Sequence, residues 1–418
     1  MALNLDLRLL NRLKSEMTFQ TLYERALGEE QKILSDPGIG FPDLPETMAY
    51  VDMCDQALND LPAEINTLFV LGIGGSALGT AMVLDAFPVG IKRTVHVIDN
   101  IDSVDVNRHL NNLDPDRTAL AVVSKSGSTV EPLALFALFY GKLKEALGPD
   151  RATRQCVLIT DPESGGLRRL ADGSPFLTLP VPRNVGGRFS ILTPVSLFPL
   201  MFAGLDVVPL LLGAAKEKRE GQERRATGAV VDYMFMEAGK SIKVLFPYGN
   251  GLRTFGEWYL QLFAESLGKR LDRSGRIIHA GQTAVVARGV TDQHSQLQLY
   301  CEGPDDKVYV FIKIKNVPDL MIEDMFPESG LLETVAGHRL SQILEAELQG
   351  TIRSLENARR PVLLMELTEL DMETLGRMIY MFEMQTAVTG HLLNINPFDQ
   401  PGVEESKQIA RELLGHFG

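Results

Sequence analysis

The 418-residue chain has only three cysteines, Cys54, Cys156 and Cys301, far apart and without a CxxC pair. That pattern excludes a disulfide framework and a cysteine-based zinc site. Basic residues are in deficit, 41 Lys and Arg against 54 Asp and Glu, for a net charge of −13. A surface of that sign argues against nucleic-acid or anionic-membrane partners, and an anionic substrate needs a positive site made locally. Residues 1–6 lack a basic segment followed by an apolar one, so no signal peptide is expected and the expected location is cytoplasmic. Long apolar runs are missing too. The longest, residues 191–215, contains Pro194, Pro199, Asp206 and Pro209 and reads as two packed helices with a turn at Gly204-Leu205-Asp206. What is present is an ordinary globular composition, 45% hydrophobic and 23% charged, long enough for two or three domains.

Residues 1–60 read as a helical arm, with Leu9, Leu10, Leu13, Met17 and Leu22 loosely periodic and a break between Pro37 and Pro45. Apolar runs at 67–73, 95–98, 119–123, 157–160 and 176–179 then alternate with helical patterns at 77–86, 104–111, 131–147 and 167–171. Residues 207–240 read as helical and charge-rich. A second alternation follows, with strands at 242–246, 308–314 and 362–367 and helices at 255–267, 331–355 and 372–388. A last amphipathic helix spans 404–414. Strand and helix in alternation mean βαβ units and a parallel sheet covered on both faces. The expected fold class is α/β, with two lobes of similar build and helical arms at both ends. The expected divisions are 1–60, 61–206, 207–400 and 401–418.

Chemistry concentrates after two of the strands. The run 119–123 breaks into Ser124-Lys125-Ser126-Gly127-Ser128-Thr129 before a helical pattern begins near Val130. Free amides at a positive helix end, four hydroxyls and one ammonium suit an oxyanion, phosphate above all. Simple N-capping needs one hydroxyl, not four. An earlier strand ends in Leu71-Gly72-Ile73-Gly74-Gly75-Ser76-Ala77-Leu78-Gly79. Gly72-x-Gly74-x-x-Ala77, with Asp99 ending the next strand, also fits a dinucleotide fingerprint and a nicotinamide or flavin enzyme. A second anion cradle in the same sheet favours one small phosphorylated ligand closed between the two loops.

Four later stretches carry reactive groups. In 184–190, paired glycines allow close backbone approach and Arg188 brings a fixed charge with a fork of donors; alone, it reads equally as a surface arginine. Gln261 and Glu265 share a helix face at i,i+4. Glu265 stands among Leu262, Phe263, Ala264 and Leu267, a setting that suits a general base; its plainer reading is a carboxylate paired with Lys269. The polar loop 287–296 holds His294 close to Asp292, either a proton carrier near neutral pH or a solvated histidine. The segment 394–407 enters the last helix with Gln400 and Lys407. A lysine at a helix start opposes the dipole, so it meets a ligand or pairs with Glu404.

In order, the stretches 72–79, 124–131, 187–190, 261–269, 289–296 and 398–407 resemble the signatures of the glucose-6-phosphate isomerase family in its short bacterial form. The resemblance implies two sugar-isomerase (SIS-like) lobes. It also implies reversible aldose–ketose isomerisation of glucose 6-phosphate and fructose 6-phosphate through a cis-enediol(ate), in glycolysis and gluconeogenesis, with no metal and no nucleotide cofactor. Carried over by position, Ser124, Lys125, Ser126 and Thr129 would hold the phosphate, and Gly75 and Ser76 would contact the sugar. Glu265 would be the base between C2 and C1, Arg188 would stabilise the enediolate, His294 and Lys407 would assist ring opening, and Gln261 and Gln400 would orient substrate. A homodimer is implied, with His294 reaching the partner's site. Ser128, where relatives often have Thr, and Pro401, where longer relatives carry an aromatic residue, depart from the pattern without removing a proposed group. The other readings are a non-catalytic sugar-phosphate sensor, which would lack some of Glu265, His294, Arg188 and Lys407, and a dual phosphoglucose/phosphomannose isomerase.

Overall fold

The computed structural model describes residues 4–5 and 17–416, so the periodic positions Leu9, Leu10 and Leu13 lie outside the described residues. Two five-stranded sheets organise the chain. The first runs, edge to edge, Thr94–Ile98, Thr67–Leu71, Thr118–Val123, Cys156–Thr160 and Leu177–Pro180, all parallel. The second runs Asn4–Leu5, Val362–Leu367, Lys307–Ile314, Ile242–Tyr248 and Thr283–Val286, parallel except at Asn4–Leu5. The α/β expectation holds for a visible reason. All six residues of Thr118–Val123 are buried, as a parallel strand with helices on both faces requires.

Several elements differ from the sequence reading. Asn4–Leu5 pairs antiparallel with Val362–Leu367, so the amino-terminal arm is not helical throughout; the helices Met17–Ser35 and Ala49–Asp60 follow. Thr283–Val286 is a four-residue edge strand with three partly buried side chains, too short and too exposed for an apolar run to announce it. The helix expected from residue 331 begins at Leu340, because Gly330 and Gly337 sit at φ +64° and +78°, outside any helix. The charge-rich stretch divides at Gly221 into Val208–Glu220 and Gln222–Glu237. Within the apolar stretch, helix Pro194–Ala203 ends at a left-handed Gly204, and no described helix is long and apolar enough to cross a membrane.

Helices Pro194–Ala203, Val208–Glu220, Arg253–Leu267 and Met372–Leu392 share one apolar core with the facing sides of both sheets, Leu68 and Val70 on one and Leu245 and Val308 on the other. Separate cores cover the outer faces, around Phe139 and Leu158 and around Tyr309 and Leu348. Met372–Leu392 is the axis of this middle layer, buried at every position from Thr374 to Leu392. This packing lays Arg253–Leu267, which follows strand Ile242–Tyr248 of the second sheet, against Leu78–Ala86, which follows strand Thr67–Leu71 of the first. Residues 72–76 and 261–265 meet as a consequence.

Candidate active site

Strands Thr67–Leu71 and Thr118–Val123 are hydrogen-bonded neighbours, yet the strand between them in sequence, Thr94–Ile98, lies on the far side of Thr67–Leu71. The chain leaves Leu71 in one direction and returns on the other, the switch point at which open α/β sheets hold ligands beyond their strand ends. The loops after Leu71 and Val123 flank that crevice.

In the second of these loops Ser124 is buried, with its Oγ 3.0 Å from Thr129 Oγ1. Ser126 Oγ lies 3.4 Å from the same hydroxyl and accepts from Ser128 Oγ at 3.2 Å. The four hydroxyls cluster at the mouth of helix Val130–Leu147, whose N-cap Thr129 makes no side-chain cap bond. The first amides of that helix stay available to an anion. Gly127 turns the loop at φ +61°, and a Cβ there would lie 2.5 Å from the amide nitrogen of Leu167. A side chain at this position would collide with the helix start that presses on the loop. Lys125 aims elsewhere: its Nζ donates to the carbonyls of Arg183 at 2.7 Å and Val185 at 2.9 Å, and burial lowers its pKa against the pull of Asp161. The lysine fastens the loop to the segment leading into Arg188.

The loop after Leu71 forms one tight turn, Gly74–Ser76, before helix Leu78–Ala86. A Cβ on Gly75 would strike the carbonyl group of Gly187 and stand 2.7 Å from the amide nitrogen of Arg188. Here the dinucleotide reading loses its ground. The Gly187–Phe189 turn packs directly on Gly75, where a dinucleotide loop would leave its backbone open to pyrophosphate, and Asp99 is exposed beyond an edge strand. Gly75→Ala is expected to move the Arg188 backbone and lower kcat/KM roughly 10- to 100-fold, with far-UV circular dichroism unchanged. An unchanged kcat/KM would show that this contact does not set the site.

Arg188 is the hub. Only 3% exposed, it joins three distant parts of the chain. Its Nε donates to Ser266 Oγ at 2.8 Å; Nη1 donates to Glu265 Oε2 at 3.3 Å and to Gln400 Oε1 at 3.0 Å; Nη2 donates to the carbonyls of Pro397 at 2.6 Å and Asp399 at 3.0 Å. Burial pulls its pKa down while Glu265 and Asp399 pull it up, and a guanidinium stays charged throughout. The surface-arginine reading is thereby excluded.

Glu265 turns toward the crevice with its side chain 35% exposed. One oxygen receives Gln261 Nε2 at 3.3 Å, the other receives Arg188. Gln261 also abuts the glycine loop, since a Cβ on Gly74 would stand 2.8 Å from its Nε2. The alternative pairing of Glu265 with Lys269 is not made. Lys269 donates instead to the backbone carbonyls of Glu265 and Ser266.

The remaining two expected residues stand apart. His294 ends the exposed turn Thr291–His294 and makes no side-chain hydrogen bond or ion pair among the described residues. Asp292 is not its partner, because that carboxylate accepts from Ser295 Oγ at 2.7 Å and from the Arg288 amide at 2.6 Å. Lys407 pairs with Glu404 at 2.8 Å on helix Glu404–His416. Sequence reasoning overlooked Ser266 and the Pro397 and Asp399 carbonyls, and named Lys269 only as a partner of the Glu265 carboxylate. Only Ser266 carried a signal, as a hydroxyl next to Glu265.

A cavity of about 440 Å³ lies at the strand ends of the second sheet, between Tyr248, Lys313, Lys315 and Ser341. Its cations are already paired, Lys313 with Glu345 and Lys315 with Glu366, and Asp319 occupies the helix start at Ser341. The open anion cradle is the one in the first sheet.

The fold is one found in a class of solved phosphosugar isomerases. Tagatose-6-phosphate ketose/aldose isomerase from Escherichia coli shares the fold, with a TM-score of 0.52 at 13% identity over 90% of this chain and 95% of that one. Within the class, this chain belongs to the phosphoglucose isomerase family, whose profile matches residues 60–417. Glucose-6-phosphate isomerase from Rubrobacter xylanophilus is 39% identical over 403 residues, 92% of this chain and 91% of that one. The enzyme from Carboxydothermus hydrogenoformans is 38% identical over 395 residues, covering 90% and 84%. A crystal structure of a hypothetical protein from Thermus thermophilus superposes with a TM-score of 0.91 at 34% identity, over 99% of this chain and 100% of that one.

Proposed function

We propose that the protein is a glucose-6-phosphate isomerase, an aldose–ketose isomerase acting by proton transfer. The observation that carries this reading is the Glu265 carboxylate, held between Gln261 and the buried Arg188 at the rim of the switch-point crevice. The hydroxyls of Ser124, Ser126 and Thr129 and the amides behind them bind the phosphate, with Lys125 fixing the loop, and Gly75 and Ser76 line the sugar. Glu265 takes the proton from C2 of the open-chain aldose, and electron density moves from the C–H bond through C1 to the carbonyl oxygen. Arg188 stabilises the resulting enediolate. The C2 hydroxyl proton passes to O1, and protonated Glu265 returns its proton to C1, giving the ketose. Gln261 aims the carboxylate and Gln400 the substrate. His294 and Lys407 open the ring. The reading places the enzyme in the cytoplasm, in glycolysis and gluconeogenesis.

The test is glucose 6-phosphate formation from fructose 6-phosphate, followed with a coupling dehydrogenase in the presence of chelator. Turnover is expected. Folded protein that gives none, while fructose 6-phosphate still raises its Tm, would be a sensor instead. The same assay with mannose 6-phosphate decides the dual specificity.

His294 serves the partner's site, and the protein works as a homodimer. Leu320, Met325, Phe326 and Leu331 are all more than half exposed on one arm, as are Leu413 and Leu414 on the last helix. Exposed apolar side chains grouped in this way support an association surface. Light scattering is expected to give twice the 46.1 kDa chain mass, and Leu331→Asp is expected to shift the mass toward monomer and lower kcat. A fully active monomer would contradict both the dimer and the role of His294 across it.

A further inference from the structure

Glu265 and Arg188 are held by a residue that no part of the proton-transfer reading uses. Lys269 follows the Glu265 helix directly, at the start of the short strand Lys269–Leu271, and is 7% exposed. Its Nζ donates to the carbonyls of Glu265 at 2.5 Å and Ser266 at 3.1 Å, closing the last turn of the helix with a cation where the macrodipole is negative. The same nitrogen lies 3.8 Å from Asp399 Oδ1. Asp399 belongs to the segment whose carbonyls Arg188 grips and which presents Gln400 to Arg188. Helix end and segment therefore share two buried cations, Arg188 and Lys269. A buried ammonium is costly unless its donors are used, and these donors are used to lock backbone beside the carboxylate rather than to neutralise it.

We propose that Lys269 is a positioning residue of the isomerase: it fixes the last turn of the Glu265 helix against the Pro397–Gln400 segment, so that Glu265, Arg188 and Gln400 keep one geometry during proton transfer. The inference rests on the isomerase reading. The charged groups facing Nζ are Arg188 from the Gly187–Phe189 turn, Asp399 from the segment and Glu265 from its own helix. Burial first, and Arg188 second, lower its pKa to about 8, against the pull of Asp399 and Glu265. The lock is therefore charged below about pH 8 and loses its charge above it. A neutral amine keeps only weak hydrogen bonds to the carbonyls and no ion pair with Asp399.

The experiment is kcat and KM against pH for wild type, Lys269→Met and Lys269→Arg, all as full chains with fold and Tm checked. Wild-type turnover is measured first, so failure of the isomerase reading shows separately, as no activity in any variant. Lys269→Met is expected to lose at least tenfold in kcat with KM changed less than threefold. Lys269→Arg, charged at every pH used, is expected to recover most of kcat at pH 7 and to move an alkaline limb near pH 8 upward by a unit or more. A kcat in folded Lys269→Met within twofold of wild type would overturn the proposal. If Lys269→Met fails to fold, Lys269→Arg decides: a limb that stays near pH 8 would overturn the proposal, and one displaced upward would support it.

Discussion

Glu265→Gln is expected to lower kcat by about 10³-fold or more, the upper range of what a positioned base contributes. The substitution is isosteric, so the side chain keeps its place, but its single amide oxygen can accept from only one of Gln261 and Arg188. What it removes is the ability to hold a proton taken from C2. Although Glu265 is 35% exposed, its partner Arg188 is buried, so losing the carboxylate leaves that guanidinium without its ion pair and a lowered Tm is expected as well. KM should stay within a few-fold, since the phosphate is held by the Ser124–Thr129 loop and not by Glu265. The check is kcat, KM and Tm measured together. A mutant with wild-type kcat would leave the isomerase reading standing and remove Glu265 from it.

Arg188→Lys is the second large effect, and the reason is geometric. The guanidinium serves Ser266, Glu265, Gln400 and the carbonyls of Pro397 and Asp399 at once, from a site that is 3% exposed. An ammonium has one nitrogen and three donors, so at least two of these five partners lose their hydrogen bond. A buried acceptor left unsatisfied costs about 1–3 kcal/mol, and the enediolate loses a positive charge held at a fixed place, worth about 10²-fold or more in kcat. Arg188→Lys is thus expected to fall about 10²- to 10³-fold in kcat and to lose about 3 kcal/mol in denaturant unfolding. Arg188→Ala should lose more of both. Activity within threefold of wild type in Arg188→Lys would mean that the charge alone matters and the fork does not.

How much of this was legible before the fold was known depends on the range over which each feature acts. The strands of the first sheet were readable because both faces are covered, which forces continuous apolar runs such as residues 119–123. At the sheet edges Thr94–Ile98 and Leu177–Pro180 still carried apolar runs, whereas Asn4–Leu5 and Thr283–Val286, two and four residues long, were too short to show one. Loop chemistry at Ser124–Thr129 was legible because hydroxyls and a glycine leave a local signature. The Arg188 hub was not: its partners lie 77 to 212 positions away, and spacing within one helix cannot show that Lys269 serves backbone carbonyls while Gln261 and Arg188 take the Glu265 carboxylate. The same limit applies in reverse to Lys407, whose ordinary i,i+3 pairing with Glu404 is what the chain displays.

The most direct measurement is proton NMR of the wild-type reaction in D₂O, starting from fructose 6-phosphate. A single carboxylate that carries a proton between C1 and C2 and exchanges part of it with solvent should leave deuterium at C2 of the glucose 6-phosphate formed. Partial or full deuteration at C2, abolished in Glu265→Gln, is the expected result. Glucose 6-phosphate with only protium at C2, formed as fast by Glu265→Gln as by wild type, would point to direct hydride shift between the carbons and contradict a base at Glu265.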